Sequence, residues 1–173
     1  MKNHLQKLIL ACLLGAVPVH GVAQTCFTES EMPSSTPTAH FTDHGNGTVT
    51  HDTTGLMWAK CVQGASGSDC TTGSVSKHTW QQALDTAAAS TLAAYADWRL
   101  PNMKELRSIV EEQCDATTIN LAIFPNARSS HYWSASPYAR FTGVAWFVDF
   151  YSGISFFTDH GSSKYIRLVR SQP

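Results

Sequence analysis

Four cysteines downstream of an export-type leader constrain this chain more than any other feature of its sequence. Lys2 and Lys7 precede the apolar run Leu8 to Val17, and Gly21-Val22-Ala23 follows it, the layout of a secretory signal peptide. The run is too short to persist as a bilayer-spanning helix, which takes about 20 residues, so no stable membrane span is expected. Cleavage is expected after Ala23, making residues 1–23 the signal peptide. A lipoprotein signal with Cys12 as the lipidated residue is the competing reading. Leu10 two places before it, and the very short apolar run ahead of it, argue against that. Loss of Cys12 leaves Cys26, Cys61, Cys70 and Cys114 in an oxidising space, where two disulfides are the economical reading. Pairing Cys61 with Cys70 would close the Gly/Ser-rich loop between them, which has little else to order it. Pairing Cys26 with Cys114 would tie a loose N-terminal segment to the end of a helix, contributing on the order of 4 kcal/mol in the chain-entropy model. Metal ligation by these cysteines is the weaker alternative, because no C-x-x-C pair occurs.

Composition limits the partners. With 43% apolar, 14% charged and 10% aromatic residues, the chain is that of a folded globular protein, and it has no collagen or heptad period. A net charge of −1 provides no phosphate-neutralising surface, so nucleic acid is not expected as a principal partner.

Residues 24–39 form a polar N-terminal arm, and residues 40–173 the domain. Asn46-Gly47 between extended residues signals a hairpin. Asp52-Thr53-Thr54-Gly55 is expected to be a turn that fixes its own backbone through side-chain oxygens. Gly55 to Ala59 then follows as a buried strand. Thr79 and Gln82 form a capping box ahead of a helix expected from Trp80 to about Leu92. Asn102 and Glu105 repeat that signature ahead of a helix ending near Gln113. From His131 onward the period changes to two, with strands expected over 131–136, 144–151, 154–158 and 165–170. Two helices bounded by strands on both sides predict an α+β domain with a mostly antiparallel sheet. No internal repeat is apparent.

Taken together, Asn46-Gly47-Thr48-Val49-Thr50-His51-Asp52-Thr53-Thr54-Gly55-Leu56-Met57-Trp58, Thr79-Trp80-Gln81-Gln82-Ala83-Leu84, Asp97-Trp98-Arg99-Leu100-Pro101-Asn102 with Glu105-Leu106, Tyr132-Trp133-Ser134-Ala135-Ser136 and Ile166-Arg167-Leu168-Val169-Arg170 resemble the Lcl C-terminal domain family. That bacterial family is named for a collagen-like surface adhesin. The resemblance covers about residues 40 to 170 and includes the cysteine-bearing loop. It implies an extracytoplasmic binding domain with a C-type-lectin-like fold. No Gly-X-Y stalk is present, so the collagen-driven trimer of the naming member does not carry over. The loop Asp43-His44-Gly45-Asn46-Gly47 has one carboxylate where relatives commonly carry more, which weighs against calcium there.

Candidate catalytic groups fail on geometry. Gly64-Ala65-Ser66-Gly67-Ser68 misses the nucleophile elbow at its last position. Glu111 and Glu112 are adjacent on a helix and diverge by about 100°. His40, His44 and His51 surround a turn with no spaced carboxylate partner, so no metal and no cofactor are expected. Arg99 is assigned a structural role, pairing with Glu105 or holding loop carbonyls. Most of the five tryptophans should be core. The loop Ser136 to Gly143 stands out for recognition. Its Tyr138, Arg140 and Phe141 place flat aromatic faces beside a guanidinium, which suits sugar rings bearing anionic groups, and Arg128 and Tyr132 are expected to border the same surface. The competing reading has Tyr138 and Phe141 finishing the core.

The sequence therefore predicts an exported, periplasmic or secreted, non-catalytic domain that binds a glycan or surface protein. A structural or accessory subunit of an envelope assembly is the alternative, and an enzyme built on the same scaffold a third possibility.

Overall fold

Short turn signals set most of the strands in place. In the computed structural model residues 24–171 are described; the expected signal peptide and Cys12 lie outside them. In chain order come β1 (Thr25–Cys26), β2 (Phe41–Asp43), β3 (Thr48–His51), β4 (Leu56–Ala59), β5 (Ala65–Ser66), β6 (Thr72–Gly73), α1 (Trp80–Ala88), α2 (Met103–Arg107) and β7 (Cys114–Asp115). They are followed by β8 (His131–Pro137), β9 (Val144–Asp149), β10 (Ile154–Asp159) and β11 (Val169–Ser171). A four-stranded antiparallel sheet runs β11-β4-β3-β2, and a three-stranded one runs β10-β9-β8. Two short pairs, β1 with β7 and β5 with β6, lie outside them. The α+β class read from the sequence matches this architecture.

The pleat feeds two cores. Trp58, Tyr132 and Val148 pack with Leu106, Ile109, Phe124 and Phe150 in one cluster. Their strand neighbours Met57, Trp133 and Phe147 pack with Ala83, Ala87, Trp98 and Leu168 in another. Alternate side chains leave a strand on opposite faces, so β4, β8 and β9 are buried on both sides. Complete burial of each large apolar side chain contributes roughly 1.5–3 kcal/mol.

Both disulfides form as expected, Cys26 with Cys114 and Cys61 with Cys70. The arm is ordered around a buried carboxylate. Glu111, 3% exposed, accepts from the Ser34 and Thr36 hydroxyls and from the backbone N–H groups of Ser35, Thr36 and Gln113. Burial alone would raise its pKa, but these hydrogen bonds reverse that and hold it at about 2. A second buried charge, Arg167, is fully enclosed, stacks on Phe124 at 4.6 Å and donates to the carbonyls of Ala59 and Lys60. Burial pushes its guanidinium down to about 10.

Several boundaries differ from expectation. Helix α1 stops at Ala88 rather than near Leu92: the Ser90 N–H turns back to the Ala87 carbonyl, and beyond it Ala93 and Ala94 adopt positive φ while the Trp98 indole donates to the Leu92 carbonyl. Helix α2 stops at Arg107 rather than near Gln113. The Ser108 hydroxyl bonds back to the Glu105 carbonyl, a local contact that competes with helix continuation. β9 ends at Asp149, where the chain turns through Tyr151 to Gly153. The last strand begins only at Val169; before it, Ile166 and Leu168 carbonyls accept from Gln63 and Ala59 outside a regular ladder. The 52–55 turn closes on the His51 carbonyl, which accepts from the Thr54 and Gly55 N–H groups and, as expected of a side-chain oxygen in this turn, from the Thr54 hydroxyl; the Asp52 carboxylate instead accepts from the Thr42 hydroxyl.

Candidate functional site

The β8–β9 loop carries the sequence-derived candidates on a rigid frame. The Tyr138 N–H donates to the Val144 carbonyl at 2.8 Å, and the Phe141 N–H donates to the Tyr138 carbonyl at 3.3 Å. The Gly143 carbonyl takes the His160 N–H at 2.8 Å, and the His160 ring stacks on Trp80 of α1 at 4.0 Å. The loop is thereby fastened to the end of β10 and to the helix.

An aromatic cluster lies on this frame. Register places Phe157 opposite Trp146, so both share one face of the hairpin. The Tyr138 ring lies parallel to Phe157 at 4.0 Å and 4°, and meets Trp146 edge-on at 5.3 Å. Phe141 sits 5.9 Å from Tyr138 and is 61% exposed, and Phe157 is 46% exposed. Tyr138 and Phe141 therefore form a half-open platform instead of completing the core. Arg140, which precedes Phe141 in the loop, is exposed and makes no ion pair among the described residues.

The two remaining candidates are not brought to this platform. Tyr132 is 1% exposed and belongs to the core; its hydroxyl accepts from the Arg128 N–H at 2.9 Å. The side chain was expected to border the surface, but the strand pleat turns it inward to pack on Phe150 and Tyr165. Arg128 is exposed, yet it precedes β8 whereas Tyr138 follows it. Seven residues of extended chain separate their ends by roughly 20 Å. Sequence reading missed Phe157 and Trp146. The signal was Phe156-Phe157 itself: adjacent residues of a strand point to opposite faces, so on edge strand β10 one ring must flank the loop. The other, Phe156, lies 5.9 Å from Phe147, and the Lys164 ammonium stands 3.9 Å from the centre of that Phe147 ring.

The other motifs make contacts within the fold. Arg99 makes a two-pronged contact with Glu105, both distances 2.8 Å, while Glu105 also accepts the Asn102 N–H at 2.7 Å. The arginine, the cap and the helix start thus share one carboxylate. His51 stacks on Phe41 at 4.6 Å, and burial, with a smaller effect from His40, lowers its pKa. Trp58, Trp98 and Trp133 are at most 2% exposed. Among the described residues, no three His, Cys, Asp or Glu side chains are grouped to hold a metal ion, and no helix is long and apolar enough to cross a membrane.

A search of curated proteins finds no match for the chain. The model of the Lcl C-terminal domain matches residues 47–170, a span that includes the Arg99–Glu105 contact, the Cys61–Cys70 loop and the aromatic platform. The two disulfides and the adhesin-like character of that family point to an extracellular or periplasmic protein, and over most of its length this chain belongs to the Lcl C-terminal domain family.

Proposed function

We propose that the protein is an exported, non-catalytic binding domain on a C-type-lectin-like scaffold, recognising a carbohydrate or protein partner at the cell surface through the Tyr138–Phe141 platform. The observation that carries the reading is the parallel Tyr138–Phe157 stack with Phe141 held open beside it, in a loop whose Arg140 is exposed. Flat, fastened aromatic faces offer a sugar ring contact area at little cost in ordering, and the guanidinium adds a fork for an anionic substituent. The scaffold assignment is supported by the joining of β2–β4 with the final strand β11 in one sheet, the helices and second sheet lying between them in sequence.

A glycan array and a cell-adhesion assay test the reading. Replacing Tyr138, Arg140 and Phe141 together with Ala should abolish binding in a protein that still melts cooperatively. Unchanged binding removes the platform, and turnover of a substrate removes the non-catalytic assignment.

A structural role in an envelope assembly is the second reading, favoured by one feature. Edge strand β10 presents Ile154, Phe156 and Phe157 at 51%, 46% and 46% exposure, an apolar edge of the kind that pairs with another chain. Co-purification with an envelope complex that Phe156→Lys prevents would establish it.

A further inference from the structure

We propose that the cleft between the β2–β3 turn and the Cys61–Cys70 loop is a second ligand site, built for a neutral saccharide unit and separate from the aromatic platform. The cleft has a volume of about 690 Å³. That lies within the roughly 300–1,000 Å³ of small-molecule sites. One wall is the turn Asp43 to Gly47, the other the loop Gln63 to Ser68, with Ala59, Val62 and Leu92 as apolar floor.

Both walls are stiff. The Lys60 N–H donates to the Gly47 carbonyl at 2.9 Å, and a Cβ at Gly47 would lie 3.6 Å from Leu92 Cδ1. Across the cleft, Gly64 and Gly73 bring β5 and β6 so close that a Cβ on either would meet a carbonyl oxygen at 2.3 Å. The disulfide closes the base of that loop. A preformed cleft spares a ligand the cost of ordering its site.

The rims set the ligand class. Asn46 spends only its Oδ1, on the Thr48 N–H and hydroxyl, which leaves its NH₂ as a donor. Gln63, Ser66 and Ser68 line the cleft, and their side chains make no hydrogen bond with other described residues. Amides and hydroxyls both donate and accept, as sugar hydroxyls do. The one cation and one anion of the cleft, Lys60 and Asp43, neutralise each other at 2.6 Å, so nothing there selects an anion.

Backbone amide spectra of the labelled protein, titrated with maltotriose, cellotriose and chitotriose, test this. At millimolar concentration at least one should shift the amides of residues 45–47 and 63–68 saturably. Gln63→Ala should weaken that binding roughly tenfold, the loss of one hydrogen bond of about 1.4 kcal/mol. Ser66→Trp should fill the cleft and abolish it, while Tyr138→Ala should leave it unchanged. The last variant separates failure of this site from failure of the platform. The proposal is overturned if none of the three saccharides shifts these amides, if the shifts survive in folded Ser66→Trp, or if inorganic phosphate or trialanine shifts them at lower concentration.

Discussion

Glu111 Oε2 accepts both the backbone N–H and the hydroxyl of Thr36, at 3.0 and 2.8 Å, across 75 residues of chain. With Ser34 and Ser35 bound to the same carboxylate, this is the polar lock of the N-terminal arm on the domain. The carboxyl titrates near 2 when folded against an ordinary 4.5. Its contribution is therefore complete above pH 4.5 and is lost as the pH falls from there toward 2. Glu111→Gln should cost on the order of 3 kcal/mol at neutral pH, and the difference from the parent should shrink toward pH 2. Denaturant unfolding at several pH values measures this, and a constant difference from pH 7 to pH 2 would contradict it.

Arg99 and Glu105 should respond to geometry as well as to charge. A lysine cannot reproduce the two-pronged contact, so Arg99→Lys should lower stability by about 1 kcal/mol, or roughly 2–4 °C in Tm. Glu105→Gln should cost more, because the same carboxylate also accepts the Asn102 N–H at the start of α2. Thermal melts of the two variants give the order directly, and the reverse order would refute the shared-carboxylate account.

The disulfides should differ in worth because they span loops of different length, with sequence separations of 88 and 9. Removing Cys26–Cys114 by paired serine substitution should cost about 4–5 kcal/mol, and removing Cys61–Cys70 about 2–3 kcal/mol. Peptide mapping without reduction should recover these two pairs, and denaturant midpoints the ranking. Free thiols at all four positions in protein from its native host would overturn the export argument.

Arg167 is a buried cation with no carboxylate in ion-pair range among the described residues; its Nη1 donates to the carbonyls of Ala59 and Lys60. Arg167→Lys shortens the reach and strips the flat face from Phe124, and should cost about 3 kcal/mol despite conserving charge. A hydrogen-exchange measurement should show β4 losing protection first. Unchanged protection there would mean that the guanidinium does not support this strand.

Local chemistry made much of the fold legible in the sequence. Asn46-Gly47 sits in a turn whose glycines take positive φ, and the pairs Thr79/Gln82 and Asn102/Glu105 cap α1 and α2 as their spacing demands. Each of these interactions closes within three or four residues, so its energy depends little on the rest of the chain. The helix C-termini are less legible: the apolar stripe continues past Ala88 and Arg107, while the Ser90 N–H turns back to the Ala87 carbonyl and the Ser108 hydroxyl to the Glu105 carbonyl, contacts that compete with the stripe.

The site divides along the same line. The residues themselves marked Tyr138, Arg140 and Phe141 as a Pro/Gly-bounded aromatic loop, and Cys26, Cys61, Cys70 and Cys114 as two staples, because composition and spacing are properties of the chain alone. Whether a ring faces solvent is a property of what packs against it. Only the tertiary structure buried Tyr132 between Phe150 and Tyr165, set Phe157 parallel to Tyr138, and opened a cleft between two loops that are far from the platform in sequence. Those outcomes are decided by pleat, register and nonlocal packing, in which a shift of one residue sends every side chain to the opposite face.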